Sequence, residues 1–307
     1  MLQFRSNGKL LITGEYAVLD GAKSLAVPTS KGQEMRVDQG EPNLIDWKGI
    51  DEKGDTWFQT QIRIDKGKFN IISTNNEPET AEIEKRLQQI FISAYQLNSK
   101  AFLDNGYNIT TVLDFNRKWG LGTSSTLISN LAQWLNIDPY KLLESSFGGS
   151  GYDIAVAGSQ HPVSFQLTKN GPSSFTADFN PVFKDDLFFV YLNRKQNSRE
   201  AIAHYKQQTI KNREELVEKI SGITEQVIKS EHLAEFEMLL KAHETLISKA
   251  INLPRIKTQL FQDYPKLIKS LGGWGGDFIM ATGREDEKEY FRRRGYNTIF
   301  NYSELIK

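Results

Sequence analysis

The stretch Lys118–Leu135, KWGLGTSSTLISNLAQWL, decides how the chain is read. Two glycines and four hydroxyl residues run directly into an apolar pattern of helical spacing, Leu127, Ile128, Leu131 and Leu135. A helix beginning near Ser124 leaves its first amide N–H groups unpaired and turns the positive end of its dipole toward the preceding loop. Anions collect at such a place. Gly120 and Gly122 have no side chain to hold a phosphate away, and the hydroxyls of Thr123, Ser124, Ser125 and Thr126 suit phosphate oxygens or Mg2+. The same residues also suit a plain Ser/Thr cap after a glycine turn, so two readings stand side by side.

On either side the periodicity changes in a regular way. Upstream, KLLIT, QEMRV and TWFQTQIRI are short, β-rich and partly alternating, with Gly, Asp and Asn between them. Ile83, Leu87, Ile90, Phe91, Ala94 and Tyr95 then follow the spacing of an amphipathic helix, and YNITTVL returns to strand. Downstream, DLFFVYLN (Asp186–Asn193) reads as a buried strand, long helical stretches reach about Ile251, and GGDFIMATG turns on glycine into a strand. Strand, helices and strand in that order predict an α+β sandwich for the second half. The boundary is expected in the turn-rich TKNGPSSFTADFNP, which divides the chain into residues 1–170 and 171–307.

A chain of 307 residues has room for two such domains. Lys+Arg and Asp+Glu both total 38, so no overall field draws the protein to nucleic acid or to an anionic membrane. An anion must be caught locally. The absence of cysteine excludes disulfides, thiolate catalysis and zinc–thiolate sites and fits a reducing cytoplasm. The first residues lack the pattern of a signal peptide, and no run approaches the ~20 apolar residues of a membrane helix. The expectation is a cytoplasmic protein with a small-molecule substrate. The four histidines, His161, His204, His232 and His243, are scattered and are read as structural or solvated.

Two further stretches carry chemistry. In SNGKLLITGEYAVLDGAKSLAVP (Ser6–Pro28), Gly8-Lys9 lacks the upstream glycine of a Walker loop. Lys9 opens a strand instead. There it is either a solvated strand-end charge or a cation that neutralises phosphate and activates a hydroxyl, with Glu15 available to orient it. In ESSFGGSGYDIAVAGSQHPVSF (Glu144–Phe165), Asp153 stands at the start of an apolar helical turn behind Gly148, Gly149, Ser150 and Gly151. It suits an N-cap carboxylate, and equally a general base for phosphoryl transfer to an alcohol. Glu144 is a candidate Mg2+ ligand.

Taken together the three stretches resemble the GHMP kinases, the family of galactokinase, homoserine kinase, mevalonate kinase and phosphomevalonate kinase. The family's first motif, Pro-Gly-Lys-(x)-(x)-Leu-(x)-Gly-Glu-His, is similar to NGKLLITGEY, with Asn7 for proline and Tyr16 for histidine. Its Gly-Leu-Gly-Ser-Ser-Ala-Ala is similar to GLGTSSTL, with Trp119 before the first glycine. Its glycine-rich third motif resembles KSLGGWGGDFIMA (Lys269–Ala281), where Trp274 replaces a glycine and could narrow the nucleotide pocket or stack on a ligand. SGYD and NRKQNSREAI resemble further segments of the mevalonate and phosphomevalonate kinases, in the right order along the chain.

The resemblance implies a two-domain α+β fold, with an N-terminal mixed β/α domain and a ferredoxin-like C-terminal sandwich. It implies ATP and Mg2+ as cofactors. Gly120, Leu121, Gly122, Thr123, Ser124 and Ser125 would cradle the ATP phosphates, and Ser125 and Glu144 would hold the metal. Asp153 and Lys9 would be the catalytic pair, and Glu15, Tyr16, Ser150, Lys195, Ser198 and Gly273 are nominated for the acceptor. Asp277 and Tyr16 lean toward phosphomevalonate kinase; Arg194, Lys195 and Arg199 are the cations available for a phosphorylated acceptor. A homodimer is compatible with the family. The competing expectations are an ATP-binding metabolite sensor without turnover and a diphosphomevalonate decarboxylase-like enzyme.

Overall fold

Thr56–Asp65 buries Phe58, Thr60, Ile62 and Ile64 and turns the residues between them outward, the period of a strand with one covered face. Leu187–Tyr191 is buried at every position, as a strand covered on both faces must be. These two patterns recur through the computed structural model, which describes residues 1–72 and 78–307. Its strands are β1 (Leu2–Thr13), β2 (Ser24–Gln39), β3 (Leu44–Ile50), β4 (Thr56–Asp65), β5 (Lys68–Ile71), β6 (Tyr107–Leu113), β7 (Val163–Thr168), β8 (Gly171–Thr176), β9 (Leu187–Tyr191), β10 (Ile268–Ser270), β11 (Phe278–Thr282) and β12 (Ile299–Asn301). Its helices are α1 (Pro78–Leu97), α2 (Thr123–Leu135), α3 (Pro139–Ser146), α4 (Tyr152–Ala157), α5 (Ser198–Gln207), α6 (Arg213–Lys229), α7 (Leu233–Ile251), α8 (Ile256–Leu260), α9 (Glu285–Arg292) and α10 (Tyr302–Leu305). The architecture is α+β, as expected.

The chain forms two compact units, Met1–Gly8 with Lys31–Arg117 and Gly122–Gly158, and Lys9–Ser30 with Lys118–Leu121 and Ser159–Lys307. β1 and β2 pair with each other and each give part of their length to either unit. In the first unit the strand order is β5-β4-β3-β6-β2, antiparallel except where β3 runs parallel to β6 with Trp47 opposite Ile109. Helix α1 covers this sheet with Leu87, Ile90, Phe91 and Ala94, which join Trp47, Ile62, Phe69 and Phe102 in one core. The buried Glu84 of α1 accepts a hydrogen bond from Thr60 Oγ1 at 2.8 Å, so its burial is satisfied.

In the second unit the first part of β2 pairs antiparallel with β7, Ser24 opposite Phe165, and β7 pairs with β8. A separate antiparallel sheet has the order β10-β11-β9-β12. Phe188, Val190, Ile279 and Ala281 from it pack with Phe261, Tyr264 and Phe291. Much of the turn-rich stretch read as a boundary is therefore the β7–β8 hairpin, with Leu167 opposite Pro172. No helix among the described residues is long and apolar enough to cross a membrane.

Candidate active site

In the first unit, α2 begins at Thr123 rather than Ser124, and Gly122 is its N-cap with φ 95° and no side-chain cap hydrogen bond. The left-handed backbone is what glycine supplies at no steric cost. Of the two readings of GLGTSST, the plain Ser/Thr cap is thus the one that the structure does not contain. Ser125 is 2% exposed, and its hydroxyl donates to the Gly122 carbonyl at 2.8 Å. Thr126 Oγ1 lies 3.0 Å from Gln33 Oε1. Thr123 is half-buried and Ser124 exposed, so these two hydroxyls are the ones turned outward. A buried polar cluster seats the helix: Ser6 Oγ lies 2.8 Å from both Ser129 Oγ and Asn130 Oδ1, and Asn130 Nδ2 donates to the Gln33 carbonyl at 3.0 Å.

Helix α4, which packs against α2, carries Asp153. Its N-cap is Gly151 at φ 88°, so Asp153 is not the cap residue. The carboxylate lies in the first turn, half-buried, and accepts from the Ile154 N–H at 3.1 Å. Ser150 is buried just ahead of it, while Glu144 on α3 is exposed. Among the described residues no cluster of three His, Cys, Asp or Glu side chains forms a metal cage. Mg2+ commonly needs only one or two protein ligands beside phosphate oxygens; of the two residues nominated for it, Ser125 donates its buried hydroxyl to the Gly122 carbonyl and Glu144 is exposed on α3.

The second unit joins three stretches far apart in sequence. Lys9 donates through its backbone N–H to the Leu121 carbonyl at 2.9 Å and through Nζ to the Gly120 carbonyl at 3.1 Å. Tyr191 donates to the Lys118 carbonyl at 3.1 Å, and Trp119 packs edge-on against Phe278 and Phe300. Gly120, at φ 69°, faces Asp277: a Cβ there would lie 2.3 Å from the Asp277 Cγ and 2.4 Å from its Oδ2. Asp277, itself at φ 52°, accepts from the Gln196 N–H at 3.0 Å. Burial raises its pKa above the usual carboxylate range, opposed by that hydrogen bond and by the charges of Lys9 and Lys195.

Of the residues nominated for the acceptor, Glu15 and Tyr16 are buried and Lys195 and Ser198 exposed. Glu15 is 1% exposed and pairs with Lys269, not with Lys9. Tyr16 is buried, stacks on Tyr205 at 5.4 Å and accepts from the Trp274 N–H at 2.9 Å. Trp274 is 4% exposed in an apolar cluster with Tyr205, Ile247 and Ile251, and its indole N–H reaches the Pro254 carbonyl at 2.9 Å. Its ring fills core; it is not presented for stacking on a ligand. Gly273 approaches Gln196 closely, where a Cβ would meet Cγ at 2.6 Å. Lys195 and Ser198 are exposed, with Ser198 opening α5.

Sequence reasoning missed a buried polar cluster. Lys269 Nζ donates to Glu15 Oε1, whose other oxygen lies 3.4 Å from His243 Nε2. His243 Nε2 accepts from the Gly14 N–H at 2.8 Å, and Glu244 accepts from the Ser270 N–H at 2.6 Å. Burial pushes Glu15 up to about 7, with Lys269 opposing, and burial holds His243 well below the usual imidazole range. His243 is therefore neutral and structural, as read. The cluster ties the GEY turn to β10 immediately before the glycine-rich turn 272–276. The only signal for it was a glutamate and a lysine inside two motifs.

No family model matches the sequence, and no curated protein matches it. Solved structures do. Mevalonate kinase from Methanococcus jannaschii superposes with a TM-score of 0.67 at 15% identity, covering 98% of this chain and 97% of that one. Streptococcus pneumoniae phosphomevalonate kinase, in complex with phosphomevalonate and AMPPNP, gives 0.66 at 13% identity over 98% and 99%. Lactococcus lactis galactokinase, complexed with galactose, gives 0.66 at 11% identity over 97% and 92%. Over essentially its whole length, the chain has the fold of the GHMP kinases.

Proposed function

We propose that the protein is an ATP- and Mg2+-dependent kinase that phosphorylates a small hydroxylated or phosphorylated metabolite, nearest in character to the mevalonate and phosphomevalonate kinases. One observation carries the reading: Lys9, Gly120 and Asp277, one from each of three motif-like stretches, meet in one unit although 111 residues separate Lys9 from Gly120. A glycine loop held rigid in this way and continuing straight into the uncapped start of α2 supports a phosphate cradle.

The proposed roles follow from chemistry. The amides at the start of α2 and the outward Thr123 and Ser124 hydroxyls bind phosphate oxygens. Ser125 and Glu144 would be the protein groups to hold Mg2+, which would supply charge that offsets the phosphates. Asp153, in the first turn of α4, is the group to accept the proton of the acceptor hydroxyl, and Lys9, beside the Gly120 carbonyl, is the cation to offset phosphate charge. Lys195, Arg194 and Arg199 are exposed cations suited to an acceptor phosphate.

ADP release is measured with a panel of mevalonate, phosphomevalonate, homoserine and sugars. Turnover on one of them is expected, and Asp153→Asn should lower it by at least ~100-fold while ATP affinity stays within a few-fold. Saturable nucleotide binding without turnover on any acceptor would overturn the kinase reading in favour of a sensor. Carbon dioxide release from diphosphomevalonate would overturn it in favour of a decarboxylase, and near-normal turnover of Asp153→Asn would overturn the choice of base.

A further inference from the structure

A cleft of about 680 Å³ in the second unit is lined by α7, the segment ahead of α8, α8 itself and the approach to β10. Its size suits a small molecule, and it contains none of the residues given a role in phosphoryl transfer. Lys241, Arg255, Lys257 and Lys266 line it together with Glu237 and Glu244. The two carboxylates have work already: Glu237 accepts from the Thr282 hydroxyl and Glu244 from the Ser270 N–H at 2.6 Å. Lys266 is paired with Glu287 at 2.8 Å, outside the cleft lining. Lys257 donates to the Lys266 carbonyl at 2.5 Å and stands 6.0 Å from the Tyr264 ring centre, which fixes its amine in the wall. Among the described residues neither Lys241 nor Arg255 has a carboxylate within salt-bridge reach.

Three cations thus share one concavity with Glu237 and Glu244, and among the described residues none of the three is in a salt bridge. They sense one another: burial, then the charges of Lys241 and Arg255, holds the Lys257 amine below the usual lysine range, with Glu237 opposing. Lys241, Arg255 and Lys257 against Glu237 and Glu244 leave the wall net positive, and one anion of higher valence answers such a wall better than several separate monovalent ones. We propose that this cleft is a second ligand site, taking a small organic anion with at least two negative charges, phosphate or carboxylate, on Lys241, Arg255 and Lys257.

The test titrates the full chain calorimetrically with pyrophosphate, citrate and acetate, and maps protection by hydrogen exchange. Pyrophosphate or citrate should bind with Kd below ~1 mM and acetate should not. Protection should fall on residues 237–258. Lys241→Gln with Arg255→Gln should weaken that binding at least ~10-fold, whereas Lys241→Arg should keep it, since each charge-assisted contact carries that order of affinity. Because Lys241 is exposed, Lys241→Gln alone is a second variant that leaves the fold intact. The proposal is overturned by any of three results: no binding of either polyanion up to ~10 mM, protection confined to residues 118–126, or equal affinity in the double variant. All three readouts are independent of kinase turnover.

Discussion

Gly120→Ala is the sharpest probe of how the motifs meet. The alanine Cβ would sit 2.3 Å from the Asp277 Cγ, 2.4 Å from Oδ2 and 2.7 Å from Oδ1, so the carboxylate must move. An L-residue held at the left-handed φ of 69° costs about 1 kcal/mol. Displacing the carboxylate from the Gln196 N–H, now 3.0 Å away, forfeits a charge-assisted hydrogen bond of about 1.5–3 kcal/mol. Together the two effects predict a loss of about 2.5–4 kcal/mol of stability. In an Asp277→Gly background the clash and the hydrogen bond are both gone, so the same substitution should cost only about 1 kcal/mol. Urea unfolding followed by circular dichroism on the four proteins of the cycle measures the difference. Equal costs of Gly120→Ala in the two backgrounds would mean that Gly120 and Asp277 are not in contact, and the convergence on which the kinase reading rests would fall with it.

The buried pair Glu15–Lys269 should be intolerant of losing one member. Lys269→Met leaves the carboxylate buried without its cation and should cost about 3–5 kcal/mol by denaturant unfolding, whereas Lys269→Met with Glu15→Gln should recover most of it; an unrescued double variant would refute the pairing. Since burial raises Glu15 from 4.5 to about 7, the folded chain holds a proton that the unfolded chain releases between those values, and this contribution to stability is present at low pH and lost as pH rises through about 7. Glu15→Gln should flatten that part of the pH–stability curve, and a curve of unchanged slope would count against it. Tyr16→Phe removes the acceptor for the buried Trp274 N–H and should cost about 1–3 kcal/mol in the same assay; a change under about 0.5 kcal/mol would show that the N–H finds another partner.

Local periodicity made α1, α2, β6 and β9 legible, because each presents a covered face of its own. The β7–β8 hairpin was not. β8 reads GPSSFT, leaves Phe175 71% exposed and pairs on one side only, so nothing apolar marks it and a proline is tolerated at its edge. β3, LIDWKGI, alternates in burial but carries Gly49 and charges beside Trp47, and it is paired on both sides by β4 and β6. In the candidate site, the glycine loop and Asp153 were visible as motifs with ambiguous roles. What no local pattern contains is the closure of Lys9 on Gly120, 111 residues away, and of Gly120 on Asp277, since each joins stretches that are distant in sequence. The Glu15–Lys269 pair escaped for the opposite reason: charged residues are ordinarily solvated, so two of them in motif positions read as site residues rather than as core.

The departures from the family's pattern become intelligible in the same terms. Tyr16 stands where the first motif has histidine, and Trp274 where the third has glycine. Taken one at a time, Trp274 read as narrowing a nucleotide pocket or stacking on a ligand, and Tyr16 as a lean toward phosphomevalonate kinase. In space they are partners: the Tyr16 oxygen accepts the Trp274 backbone N–H, and both rings belong to one apolar cluster with Tyr205, Leu216, Ile220, Ile247 and Ile251. The indole fills volume that a glycine would leave empty, and the tyrosine hydroxyl satisfies the amide of the residue that the indole anchors. Two substitutions far apart in sequence are thus a single packing solution. It holds the glycine-rich turn through the Trp274 N–H and leaves Gly120, Lys9 and Asp277 on their own contacts.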